Sequence, residues 1–335
     1  MISETISHYR ILSKLGAGGM GEVYLAEDMR LGRQVALKFL PASYQYDPDR
    51  KAQFLKDTRI ASGLRSPNIA AIYDIGEHQE TTFIVREYVE GEMISRRVER
   101  GPMPVREAID IGVQVADALD EVHRMGFVHC NIKSSNLIIT ERGLVKILDF
   151  GLLRADGSDP SDLGHDRTAA LNQQTSLSVV SGNVSYLSPE QTLGHDIDHR
   201  SDIFSLGVVL YEMLTGRLPF EAESPSAIID LILHHEPPMI GRLNYSVPPE
   251  LERIVRKCLE KDRSRRYQSA QEIAIDLRSL QRDSATDTLP SVDTNPRPRP
   301  TRRLRSRKTI DSLAILPLIN ESNDPDTEYL TDGIT

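Results

Sequence analysis

Cysteine is nearly absent. Cys130 and Cys258 are the only two in 335 residues, too few for a disulfide framework or a zinc cluster. Positive charge is not in excess either: the formal net charge is −9, which argues against general nucleic-acid binding. The opening residues, Met1-Ile2-Ser3-Glu4, offer neither a basic stretch nor an apolar run, so no signal peptide is expected. Long hydrophobic runs are missing as well. The most apolar stretch, Ile203 to Leu214, is interrupted by Ser205, Gly207 and Glu212 and falls short of a membrane span. What remains is the expectation of a cytoplasmic protein of ordinary globular composition, 39% hydrophobic and 27% charged. The length suits one large domain or two modest ones.

The first third reads as short strands divided by turn residues: Tyr9 to Leu15, Gly21 to Glu27, and Gln34 to Phe39 after a turn at Arg30-Leu31-Gly32. Asp49 to Leu64 has helical spacing, with Phe54, Asp57, Thr58, Ala61 and Leu64 at three- and four-residue steps. Two further strand-like runs follow, Ile69 to Tyr73 and Thr82 to Tyr88. From Val105 onward helices dominate. Ile109, Val113, Ala116, Leu119 and His123 form one stripe that stops at Gly126, a fitting C-cap. Ile203 to Leu214 is apolar on several faces, as in a helix buried all round. Leu251, Ile254, Val255, Cys258 and Leu259 line another helix, and Ile273, Leu277 and Leu280 a last one. The fold class is α+β: a strand-rich small lobe followed by a helical large lobe.

Residues 155 to 182 are polar and without period, the pattern of a long functional or disordered loop. Composition breaks again at 284–308, Pro/Thr/Asp-rich and then basic through Arg297, Arg299, Arg302, Arg303, Arg305, Arg307 and Lys308. A solvated linker is favoured there over a specific anionic contact. Beyond it, Ser312 to Ile319 reads as a buried strand, and a single strand cannot bury itself. Residues 309–335 are therefore expected to begin a second domain that this sequence does not contain. The tail resembles the start of the TolB-like segments of some large bacterial signalling proteins.

Three motifs carry chemistry. Gly16-Ala17-Gly18-Gly19-Met20-Gly21-Glu22-Val23 is a glycine-rich turn between strands, where backbone amides can approach phosphate oxygens. Many hairpins carry several glycines, so alone it is weak. Lys38, in Val35-Ala36-Leu37-Lys38, sits in an apolar strand, which is costly unless it meets an anion. The alternative is an edge-strand lysine pointing to solvent. Asp149 ends the apolar strand Val145 to Leu148, and Asn136 lies upstream in a polar turn. A carboxylate and an amide oxygen suit magnesium shared with phosphate. An Asx turn at Asn136 and a helix N-cap at Asp149 are the alternatives.

In this order the motifs resemble the eukaryotic-type Ser/Thr protein kinases of bacteria, over roughly Tyr9 to Leu280. Ser188-Pro189-Glu190, Asp202 and Arg266 add to the match. The resemblance implies a bilobal kinase domain over residues 1–283, with an N-lobe at about 9–88 and a C-lobe at about 92–283. It implies ATP and Mg2+ as ligands and a protein substrate or a regulated partner domain. Leu15, Gly16, Gly18, Gly21 and Val23 would cover the phosphates, and Ala36 would line the nucleotide site. Lys38 would hold the α- and β-phosphates, and Asn136 and Asp149 the metal. Glu87 and Val89 would meet adenine, and Lys133 would steady the γ-phosphate.

Departures from the family pattern gather around the same cleft. Asn131, in His129-Cys130-Asn131, stands where the family has the aspartate that accepts the substrate proton. An amide keeps one acceptor oxygen but takes up no proton near neutral pH. Cys130 replaces an arginine that reads loop phosphorylation, and Asn183 a threonine that bonds the catalytic aspartate. Thr168, Thr175, Ser176, Ser178 and Ser181 are modifiable, though plain polar loop residues are the simpler account. Asp57 occupies the helix position of a longer glutamate that pairs with Lys38. Arg86 lies at the back of the adenine pocket, and is expected either to reach Asp57 or to extend into solvent. The favoured reading is a pseudokinase, a nucleotide-binding signalling module with weak or lost phosphotransfer. An active Ser/Thr kinase and a nucleotide-independent scaffold are the alternatives.

Overall fold

The computed structural model describes residues 4–18, 21–40, 48–79, 81–149, 153–154 and 184–286, all within one compact unit, Met1–Leu289. Asn183, the five loop Ser and Thr residues, the basic run and the tail lie outside the described residues, as does the side chain of Asp57.

The N-terminal part is a six-stranded sheet in the order β1-β2-β3-β4-β6-β5. Its strands are β1 (Thr5–Ile6), β2 (Tyr9–Gly18), β3 (Gly21–Asp28), β4 (Arg33–Phe39), β5 (Ile72–His78) and β6 (Thr81–Glu87), and helix α1 (Pro48–Ala61) separates β4 from β5. Every pairing in this sheet is antiparallel. Strand alternation decides which residues form its core. Val35, Leu37 and Phe39 of β4 face the same way as Phe83 and Val85 of β6. They pack with Ile6, Ile11 and Tyr24 into one cluster. Ala36 and Lys38, opposite Arg86 and Ile84, must then emerge on the other face.

One strand differs from its sequence expectation. Of the run Ile69 to Tyr73 only Ile72 and Tyr73 are strand; β5 starts at Ile72 and continues to His78. Ile69 instead bridges Ile147, and Ala70 N–H donates to the Ile147 carbonyl at 2.9 Å. β5 is an edge strand whose residues are largely half-exposed, so it carries polar Asp74 and Glu77 and no apolar alternation.

The C-terminal part is mostly helical. After β7 (Glu92–Met93), α2 (Ile94–Val98) and α3 (Val105–Arg124) come β8 (Phe127–Val128), β9 (Leu137–Ile139), β10 (Val145–Ile147) and β11 (Leu153–Arg154). These strands form the small sheets β10-β9-β7 and β11-β8. Then follow α4 (Pro189–Thr192), α5 (Arg200–Thr215), α6 (Pro225–His234), α7 (Ile240–Leu243), α8 (Pro249–Cys258) and α9 (Ala270–Thr286). Helix α3 stops as its glycine suggests, with Gly126 at φ 79°. Helix α5 is buried from Ser201 to Thr215 and packs against α3 and α8. A Cβ on Gly207 would stand 2.6 Å from the Cys258 Cβ, so glycine is what lets α8 approach so closely. Among the described residues, no helix is long and apolar enough to cross a membrane.

The largest buried charge is a forked ion pair. Arg266 Nη1 and Nη2 donate to Glu190 Oε1 and Oε2 at 2.7 and 2.8 Å. Its remaining N–H groups reach the carbonyls of Glu260, Lys261 and Arg200 at 2.7, 3.1 and 3.0 Å. All donors of the guanidinium are thus used. Ser201 Oγ adds a 2.5 Å hydrogen bond to Glu190. Truncating one partner strands the other charge. Arg266→Met should cost about 3–5 kcal/mol in urea unfolding, and Glu190→Leu added to it should recover much of that loss. A single-variant cost below about 1 kcal/mol would contradict the account.

Candidate functional site

Residues from β4, β6 and the end of β10 converge on Asp149. Lys38 and Arg86 lie diagonally on the same face of the sheet, because Ala36 opposes Arg86 and Lys38 opposes Ile84. Asp149 follows β10, whose position is set by Leu148 N–H donating to the Asn136 carbonyl at 2.9 Å and by the Ile69 bridge. Lys38 Nζ lies 3.1 Å from Asp149 Oδ1. The Arg86 guanidinium pairs with the same oxygen and also donates to the Leu148 carbonyl at 2.7 Å. Among the described residues, Arg86 Nε has no hydrogen-bond partner. Both cations are nearly buried, at 7% exposure for Lys38 and 8% for Arg86.

The electrostatics follow from this crowding. Burial alone would raise the Asp149 pKa, but the charges of Arg86, Lys38 and Lys133 hold it well below the usual carboxylate range. Burial pushes the Lys38 ammonium down, opposed by Asp149 and assisted by Arg86. Lys133 is likewise lowered, first by burial, against the attraction of Asp149.

Among the described residues Arg86 pairs with Asp149, because register places it beside Lys38 and over the end of β10. The expected contact with Asp57 falls on a side chain outside the described residues. The oxygen chemistry of Asn136 and Asp149 would suit magnesium. Their arrangement does not. Asp149 Oδ1 already serves both Lys38 and Arg86. Among the described residues three cations therefore act on one carboxylate, and a divalent ion would add positive charge beside them.

The loop bearing Asn131 is held from below by α5. Asp202 accepts from the N–H groups of His129 and Cys130, both at 2.7 Å, and pairs with His123 Nε2 at 2.8 Å. Cys130 adopts φ 60°, a left-handed conformation that costs a non-glycine residue about 1–2 kcal/mol. The doubly bonded carboxylate compensates for that cost. Asn131 N–H donates to His129 Nδ1 at 3.3 Å, and Asn136 Nδ2 to the Asn131 carbonyl at 3.0 Å. Asn131 and Lys133 line one recess with Cys130, Tyr186, Leu187 and Gln191.

The other expected site residues fall as follows. Leu15 is 41% exposed at a bulge in β2, and Gly16 pairs with Val23. Gly18 faces Gly21 at the mouth of the β2–β3 hairpin, and Gly21 has φ 108°. Ala36 is buried beside Lys38. The Glu87 N–H is committed to the Ala71 carbonyl at 2.8 Å, and its carboxylate takes Lys146 at 2.9 Å. Val89 packs with Ala70 and Ile138. The Arg86–Asp149 contact and the Asp202 cradle escape sequence reading. Alternation in β4 and β6 would have put Lys38 and Arg86 on one face; nothing local signals what that face meets.

A family model described as "Protein kinase domain" matches residues 9–276. The serine/threonine-protein kinase PrkC of Bacillus subtilis is 39% identical over 281 residues, covering 83% of this chain and 41% of that protein. Serine/threonine-protein kinase PknB of Mycolicibacterium smegmatis is 39% identical over 284 residues, covering 83% and 44%. The chain thus spans about two fifths of the length of these curated relatives. A crystal structure of the Mycobacterium tuberculosis PknI kinase domain superposes with a TM-score of 0.64 at 23% identity, over 83% of this chain and 98% of that one. That likeness bears on the fold, a small antiparallel lobe and a helical lobe.

The buried loop histidine makes stability depend on pH. Burial lowers the His129 pKa from 6.5 to about 4, against the opposing pull of Asp202. The unfolded chain takes up a proton that the folded one refuses, so stability present above 6.5 is lost as pH falls towards 4. Between pH ~7 and ~4.5, wild type should lose up to about 3 kcal/mol more than His129→Gln in urea unfolding. Equal losses would show that this histidine does not contribute.

Proposed function

Because the chain belongs to the Ser/Thr protein kinase domain family, we propose that it binds a nucleotide in the cleft between the β2–β3 hairpin and Asp149, and transfers phosphate weakly or not at all. The observation that carries this reading is Asn131. It sits in a loop whose backbone is held by Asp202, as a working catalytic loop requires, yet it presents an amide. Loop geometry without a base is what a binding module keeps after losing transfer. Loss of a positioned base costs ~10²–10⁴-fold, and phosphoryl transfer leans enough on positioning for a residue of rate to survive.

In this reading Lys38 meets the phosphates of the nucleotide, with Leu15, Gly16, Gly18, Gly21 and Val23 over them. Ala36, Glu87 and Val89 border the base, and Lys133 faces the terminal phosphate from the Asn131 recess. Asn136 and Asp149 keep ligand chemistry for a metal, but Asp149 would first have to release Arg86. The whole protein would use the nucleotide-bound domain as a regulatory module acting on a partner domain. Retention of Lys38, Lys133, Asn136 and Asp149, beside relatives named as serine/threonine-protein kinases, favours an active kinase as the second reading.

Phosphate transfer to a Ser/Thr-rich protein acceptor separates the two. Asn131→Asp should raise transfer by at least ~10-fold over wild type, and further when combined with Arg86→Met. Vigorous wild-type transfer that Asn131→Asp leaves unchanged would overturn the weak-transfer reading. Absence of any ATP-induced rise in melting temperature, in both proteins, would overturn nucleotide binding.

A further inference from the structure

Among the described residues the cluster around Asp149 holds more positive than negative charge, which suits a bare polyphosphate better than an added divalent ion. Among the described side chains acting on Asp149, Lys38, Arg86 and Lys133 contribute positive charge. The neighbouring loop positions Asn131 and Asn136 are neutral amides, and the Asp57 side chain lies outside the described residues. Arg86 is not a loose surface group. It is 8% exposed, its register on β6 is fixed opposite Ala36, and two of its contacts converge on the end of β10. Its Nε has no hydrogen-bond partner among the described residues, so the fork retains a buried donor. A planar guanidinium with a spare donor is suited to a phosphate oxygen.

Resting on the nucleotide-binding reading, we propose that this cleft takes a nucleoside di- or triphosphate free of divalent metal, with Arg86 standing where the metal's charge would otherwise act on Asp149. The polyphosphate brings several negative charges into a low-dielectric cleft, and Lys38, Arg86 and Lys133 neutralise them without an ion from solution. Asp149 changes role accordingly. It orients the two buried cations, which would otherwise repel one another on the same sheet face. A divalent ion gains little here, because it places two more positive charges beside Lys38 and Arg86 and competes with both for Asp149. The site therefore distinguishes itself from a phosphotransfer centre at the level of its counter-charge, independently of the missing base at Asn131.

Titration of the full chain with ATP, in excess EDTA and in excess Mg2+, tests this. Wild type should bind with dissociation constants within ~3-fold of each other in the two buffers. Arg86→Met should bind ~10-fold or more weakly in EDTA and recover in Mg2+, because Asp149 is then open to the metal. Asp149→Asn removes the carboxylate that Lys38 and Arg86 share among the described residues while keeping its shape. It should bind ATP in EDTA at least as tightly as wild type. Melting of the ligand-free variants confirms folding, and should Arg86→Met fail to fold, Asp149→Asn carries the test alone. Wild-type binding that is ~10-fold or more weaker in EDTA, unchanged EDTA binding in Arg86→Met, or lost EDTA binding in Asp149→Asn each overturns the proposal. Binding absent from wild type in both buffers overturns the nucleotide reading itself and this inference with it. Metal-dependent wild-type binding overturns this inference alone.

Discussion

Asp202 is the constraint on which the functional face depends. It is a fully buried carboxylate on the central helix, and it holds the loop N–H groups of His129 and Cys130 from below. A buried carboxylate without partners would be prohibitive; with two amide donors and His123 Nε2 it is satisfied, and its pKa is held below the usual range. In return it forces Cys130 into a left-handed turn and so aims Asn131 and Lys133 into one recess. Helix α5 can carry such a charge because it is packed on all sides, with Gly207 admitting α8 at close range. The same packing brings Glu190 and Arg266 together, so two buried charge systems are fixed by one helix and its neighbours.

A second carboxylate, Asp149, is handled in the opposite way. Asp202 is satisfied largely by neutral donors and positions backbone. Asp149 is satisfied by cations and positions side chains. Its partners come from strands far apart in sequence, Lys38 on β4 and Arg86 on β6, brought side by side by antiparallel register. The opposite faces of the same strands, with Val35, Leu37, Phe83 and Val85, supply the apolar packing that keeps that register from slipping. The Asp149 cluster is thus the underside of the small lobe's core.

Several features of the fold were legible from local pattern. The apolar alternation of Val35 to Phe39, the stripe from Ile109 to His123 with its glycine stop, and the all-round apolar run of α5 each name their element. Where polarity hid a strand, as in Asp74 and Glu77 of edge strand β5, local pattern failed. Where burial came from a crossing contact, as in Ile69 against Ile147, it misled. Among site residues, Lys38 could be recognised as a cation in need of an anion and Asp149 as a carboxylate ending an apolar strand. The third member could not, because Arg86 has an apolar neighbourhood in sequence and finds its anion across 63 positions of chain.

By itself the sequence determined the fold class, the order of the motifs and the absence of a base at Asn131, because composition, periodicity and residue identity are local properties. Tertiary structure alone decided that Arg86 belongs to Asp149, that Asp202 supports a strained Cys130, and that the oxygen chemistry of Asn136 and Asp149 is set in positive surroundings. Each of these depends on which groups meet across distant segments, and charge interactions are governed by that distance and by burial rather than by spacing along the chain.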